Sequence, residues 1–147
     1  MIKLAIIIHV LSATIWTGGH LLLTIVILPK ILKTKDIKGL LNFEMSFEKI
    51  GMPALFLQII TGFYLSYNYL PNVLEWFCFS SHISMHISIK LILLLTTFAL
   101  ALNAKFRLIP NLSKGNKLNI FALHIILVTI LSIIFVITGL SFRLDIF

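Results

Sequence analysis

Five histidines, His9, His20, His82, His86 and His124, stand in a chain that is 59% hydrophobic and 12% charged. An imidazole carried into hydrocarbon costs free energy unless it meets a hydrogen-bond partner, a metal or a cofactor, so each is a candidate ligand. The first two bound the string HVLSATIWTGGH, residues 9–20. Eleven helical steps bring the second ring to within about 20° of the first, roughly 16 Å further along the axis. One stripe of one helix thus presents two imidazoles at two depths. Ser12 and Trp16 lie near that stripe, and Gly18 and Gly19 thin the helix just before His20.

A second group is Cys78-Phe-Ser-Ser-His82-Ile-Ser-Met85-His86. His82 and His86 are four apart and share a helix face, where they could grip one metal ion. Cys78 and Met85 add soft sulfur donors of the kind Cu(I) favours. Lys90 lies about 12 Å further along the same helix, deep enough to snorkel or to meet a buried anion such as a haem propionate or a substrate carboxylate. Met45 and Met52 are further soft donors, Glu44 and Glu48 are expected to pair with local lysines, and Gln58 is expected to hydrogen-bond a neighbouring helix. The competing reading makes every histidine an interhelical hydrogen-bonding residue that holds the helices together. No nucleophile–base pair, phosphate loop or paired-carboxylate site is present in the pattern.

The elements that must carry these residues are four apolar runs, at about residues 3–28, 47–70, 82–104 and 118–142. Each is at least about 20 residues, enough to cross a ~30 Å hydrocarbon core. The fold class expected is therefore all-α, a transmembrane four-helix bundle, with residues 1–147 forming a single domain in the lipid bilayer. The first run is predicted to stop at Pro29-Lys30, and Pro53 to fall in the first turns of the second, which could begin earlier, near Leu40. The leading apolar run is too long for a signal peptide and reads as a retained span. Cys78 is the only cysteine, so no disulfide forms within the chain.

The net charge of +7 reflects where the basic residues stand, not a nucleic-acid surface. Lys30, Lys33, Lys35, Lys38 and Lys49 flank the first connection, and Lys105, Arg107, Lys114 and Lys117 the third; only Lys3 and Arg143 stand at the termini, and the 71–81 connection has none. This bias predicts an N-out, C-out topology. Nucleic acid is excluded as a partner by the same distribution. Topology and helical rise then sort the histidines into an outer set (His9, His82, His86) and an inner pair (His20, His124).

The strings HVLSATIWTGGH, FEMSFEKIGMPALFLQIITGFYL, IKLILLLTTFALALNAKFRLIPNL and ALHIILVT resemble the short CopD-type (copper resistance protein D) membrane proteins over nearly the whole chain. The W-x-G-G-H and F-E-x-x-F-E-x-I-G-x-P-A-L motifs carry that resemblance. It implies a bacterial inner-membrane bundle linked to copper homeostasis. Copper would be collected by Cys78, His82, Met85, His86 and His9 and passed inward to His20 and His124. The His-x6-Trp spacing from His9 to Trp16 is more distantly similar to the HemJ-type protoporphyrinogen oxidases, four-helix proteins that bind haem b. That pattern's basic residues are only partly matched here, by Lys49 and Lys90.

Two cofactor expectations therefore stand, copper or haem b. In the haem reading one group sits between His9 and His86 (or His82) and another between His20 and His124, with Lys90 toward a propionate and Gly18, Gly19, Gly62 and Gly139 as clearances. The protein would then be an electron-transfer protein or oxidoreductase; otherwise it need not be an enzyme. A homo-oligomer and a periplasmic copper or redox partner fit either reading, and a structural subunit without cofactor is the third. Both cofactor readings expect His20 to face His124, and His9 to face the start of the third span.

Overall fold

A helix that is apolar on nearly every side buries one stripe against its neighbours and turns the rest to lipid. The computed structural model, which describes residues 1–112 and 117–144, contains four such helices. They are α1 (Ile2–Thr34), α2 (Ile37–Tyr69), α3 (His82–Asn111) and α4 (Leu118–Leu144), each long and apolar enough to cross a membrane. No strand occurs among the described residues, and Lys114, counted above in the third connection, lies outside them. Large side chains such as Ile25, Phe56 and Leu95 are about two-thirds exposed, at 66%, 64% and 66%. Water does not tolerate so continuous an apolar surface; a bilayer does. The protein is a multi-pass membrane protein.

The helix ends depart from the predicted ones for a local reason. α1 runs through Pro29 to Thr34 because a π-helical turn, Leu23–Ile27, intervenes, with the Leu28 N–H reaching back to the Leu23 carbonyl. Pro29 then occupies the first turn of the resumed helix, where its missing donor is not needed. α3 repeats the device, with a π turn at Ala104–Leu108 just before Pro110. The chain reverses in two residues. Lys35 takes a left-handed conformation (φ 57°) and Asp36 caps α2 by accepting from the Gly39 N–H at 2.9 Å. Because α2 starts at Ile37, Pro53 lies well inside it and not in its first turns.

α1 packs against α2 and α4, and α3 against α4, while α2 and α3 scarcely meet along most of their length. The tightest packing is at the lysine-rich end. There Leu23, Leu28 and Ile31 of α1 join Leu40, Leu108 and Phe121 from the other three helices in one buried cluster. At the opposite end, here called outer, the 71–81 connection folds over α3. Trp76, only 6% exposed, donates from Nε1 to the Leu70 carbonyl at 2.8 Å and stacks on Phe63. Ser88 and Ser84 of α3 donate to the Trp76 and Glu75 carbonyls, which seats the connection.

Candidate functional site

Solid packing at one end and weak α2–α3 contact at the other leave a cavity of about 440 Å³ in the outer half of the bundle. That is within the ~300–1,000 Å³ range of small-molecule sites. All four helices line it, mainly with aliphatic and aromatic side chains. Its polar groups include His9 from α1, Gln58 from α2, His86, Lys90 and Thr97 from α3, and Ser132 from α4, with Arg143 at its exposed mouth. None of the described lining residues is acidic.

His9 is the best-defined group in the wall. Its Nδ1 lies 2.9 Å from Thr61 Oγ1, and the Thr61 hydroxyl in turn donates to the Leu57 carbonyl at 2.6 Å. A hydroxyl has one proton, so Thr61 accepts from His9, and the imidazole carries its proton on Nδ1. The lone pair is left on Nε2, the usual arrangement for a metal-ligating histidine whose other nitrogen is held by an oxygen. Gly62 makes room for the ring: a Cβ there would stand 3.3 Å from His9 Cε1. The Lys90 ammonium is within coulombic reach of His9, and a Cβ on Gly139 would lie 3.8 Å from its Nζ. No carboxylate pairs with Lys90 among the described residues. Gly62 is thus a clearance for the His9 ring, whereas a side chain at Gly139 would make only ordinary contact with Lys90. Gly19 yields to Phe47, whose ring a Cβ would strike, and Gly18 faces open space.

The outer set assembles only in part. His86 is 2% exposed and donates from Nδ1 to the His82 carbonyl at 2.9 Å, and its ring packs against His82 and Phe142. It lines the same cavity as His9 and Lys90, while the side-chain hydrogen bond of His9, expected to face the start of the third span, goes to Thr61 of α2. His82, Met85 and Cys78 do not line the cavity. Cys78 is exposed and its thiol is turned to the Leu74 carbonyl. Among the described residues no group of three or more His, Cys, Asp or Glu converges to hold a metal ion.

The inner pair is not brought together. His124 reaches from α4 to α3, with Nε2 2.7 Å from the Leu100 carbonyl. His20 packs between Trp16 and Phe47, at ring separations of 4.7 and 5.7 Å, and both its nitrogens are buried without a hydrogen-bond partner. Thr24 and Thr129 hydrogen-bond across α1 and α4 at 2.6 Å and mark a common level. His20 lies four residues to the outer side of it and His124 five to the inner, so about 13 Å of axial rise separates them. The predicted second haem site, and the inward relay to these two histidines, therefore lack their geometry.

Glu48 pairs across the bundle with Lys105 of α3 and not with a local lysine. Gln58 fails to make the expected interhelical bond: its Oε1 is buried without a partner, as is Thr97 Oγ1, and both residues line the cavity. Two orphaned polar atoms and an uncompensated cation inside an apolar hollow are costly in an empty protein. A ligand with polar groups would relieve all three. Sequence reasoning missed Thr61, which sets the His9 tautomer, and Arg143 as a lining residue; a threonine one turn from Gln58 in an apolar run was the signal for the first. Comparison with family models, curated proteins and solved structures returns no match.

Proposed function

We propose that the chain is a membrane-embedded b-type haem protein of the electron-transfer or oxidoreductase class, with one haem site in its outer cavity. The observation that carries this reading is His9, held through Nδ1 by Thr61, in a hollow that it shares with Lys90 and that no described acidic residue lines. His9 from α1 and His86 from α3, the two imidazoles in that wall, would hold the haem iron. Lys90 would face a propionate, and Gln58 and Thr97 offer hydrogen bonds to the polar edge. The apolar remainder of the wall excludes water from the flat face. Haem, when bound, supplies one-electron chemistry whose potential the axial ligands and the surrounding polarity tune.

The likeness to the HemJ-type and CopD-type proteins adds to a reading in the inner membrane of a bacterium, with the outer mouth toward the periplasm. The test is the optical spectrum of protein purified after haem-replete expression. A Soret band that disappears in His9→Ala supports the proposal; no Soret band in the wild-type protein removes it. Copper handling, the other reading, keeps His9 and His86, with His82 packed on His86, while Cys78 and Met85 lie outside the cavity wall. Metal analysis of the same preparation tests it.

A further inference from the structure

The seams of the bundle are unequal. α1 and α2 are joined by Phe47, which fills the notches at Gly19 and Gly51. α1 and α4 are joined at Thr24–Thr129, and α3 and α4 at His124–Leu100. α2 and α3 meet at two clasps. The outer one is the Phe63–Trp76 stack, at 6.0 Å between ring centroids, with Trp76 anchored to α3 through Ser88. The inner one is the Glu48–Lys105 ion pair. From Glu48 to Phe63 is about 22 Å of helix, most of a hydrocarbon thickness, over which the two helices scarcely touch. Leu55 and Ile59 on one side, and Leu91 and Leu94 on the other, line the cavity along this stretch. Their neighbours Phe56 and Leu95 are turned to lipid. The inner end is closed by the buried cluster, and Trp76 fills the outer end of the seam.

We infer that the cavity is loaded sideways from the bilayer, between α2 and α3, by a membrane-dissolved amphipath with an apolar body and an acidic group that comes to rest against Lys90. The inference deepens the haem reading by naming its route and ligand class, and its use of haem as a probe rests on that reading. The body is specified by the aliphatic wall, and the acid by an intramembrane cation that no carboxylate faces among the described residues. Passage requires the clasps to part, because they are where the two helices are held.

The test uses the full chain in nanodiscs, with Cys78→Ser to remove the native thiol and Glu48→Cys, Lys105→Cys, Phe63→Cys and Trp76→Cys to place one thiol pair at each clasp. A reducible bifunctional thiol reagent locks both. Haemin and a brominated long-chain fatty acid, each dissolved in the bilayer, are the probes. Uptake is read by the Soret band and by quenching of Trp16, which lines the cavity and is the tryptophan that remains. Locked protein is expected to load either probe at least tenfold more slowly than the same sample after reduction. Equal rates overturn the inference and leave the haem reading standing, whereas entry of neither probe into the reduced form overturns both. Lock-dependent entry of the fatty acid without a Soret band removes the haem reading and leaves the route standing. The methyl ester of the fatty acid is expected to dissociate at least tenfold faster than the acid; equal rates overturn the role given to Lys90.

Discussion

Replacing Lys90 by methionine is expected to move two observables in opposite directions. Without ligand Lys90 is a cation within a membrane-spanning helix, with its Nζ beside Gly139 and no carboxylate opposite among the described residues. Insertion scales put a lysine at mid-helix at about 2.5–3.5 kcal/mol unfavourable, part of which snorkelling and water in the cavity recover. Methionine keeps the length and flexibility without the charge, so the ligand-free variant should gain about 1–2 kcal/mol of stability by these figures. Loaded with an anionic ligand, the same lysine makes a charge-assisted hydrogen bond worth about 1.5–3 kcal/mol, so the variant should bind roughly tenfold to a hundredfold more weakly. Thermal unfolding of the ligand-free protein in detergent reads the first, and haemin titration followed at the Soret band the second. A variant that unfolds at a lower temperature and binds haemin as well as the wild type would refute the reasoning.

Four further outcomes follow from the packing. His20→Leu removes an imidazole whose two nitrogens are buried without partners and should stabilise the protein by about 1–2 kcal/mol; its Soret band should be unchanged, and loss of the band would end the single-site reading. Thr129→Val keeps the shape but loses the bonds to Thr24 and to the His20 carbonyl, a cost of about 1 kcal/mol measured by the same unfolding assay. Trp76→Phe preserves the stack on Phe63 and forfeits the bond to Leu70, about 1 kcal/mol, whereas Trp76→Ala should cost about 3 kcal/mol. Glu48→Gln breaks a pair whose side chains are 48% and 57% exposed. It should change stability by less than about 0.5 kcal/mol in moderate salt.

What the chain revealed of itself beforehand divides along a physical line. The four spans were legible because a run of twenty apolar residues has few other places to go. Their ends were not, since α1 passes Pro29 by a π turn whose register the local sequence does not announce. The inner pair was misplaced in depth, since His20 and His124 stand about 13 Å apart along the axis, but the shared depth of His9 and His86, which line one cavity, was legible. Azimuth was not. His124 turns to Leu100 of α3 and His20 to an aromatic notch, and only the packing of particular side chains decides such rotations. The polar groups that give the cavity its character, Thr61 behind His9 and the orphaned Gln58, are defined by neighbours on other helices.

The buried cluster at the lysine-rich end has a consequence for how this protein comes apart. A 33-residue helix is about 50 Å long, so α1 and α2 extend some 20 Å beyond a 30 Å hydrocarbon slab. Leu28, Ile31 and Leu40 then pack at or past the lipid boundary, where water drives leucine into contact. Deeper in, lipid tails are as apolar as leucine, and threonine, serine and histidine hydrogen bonds take over the joining of helices. The molecule is held by two solvents' rules, and urea, which weakens the first but does not enter the second, should loosen the lysine-rich end before the spans separate.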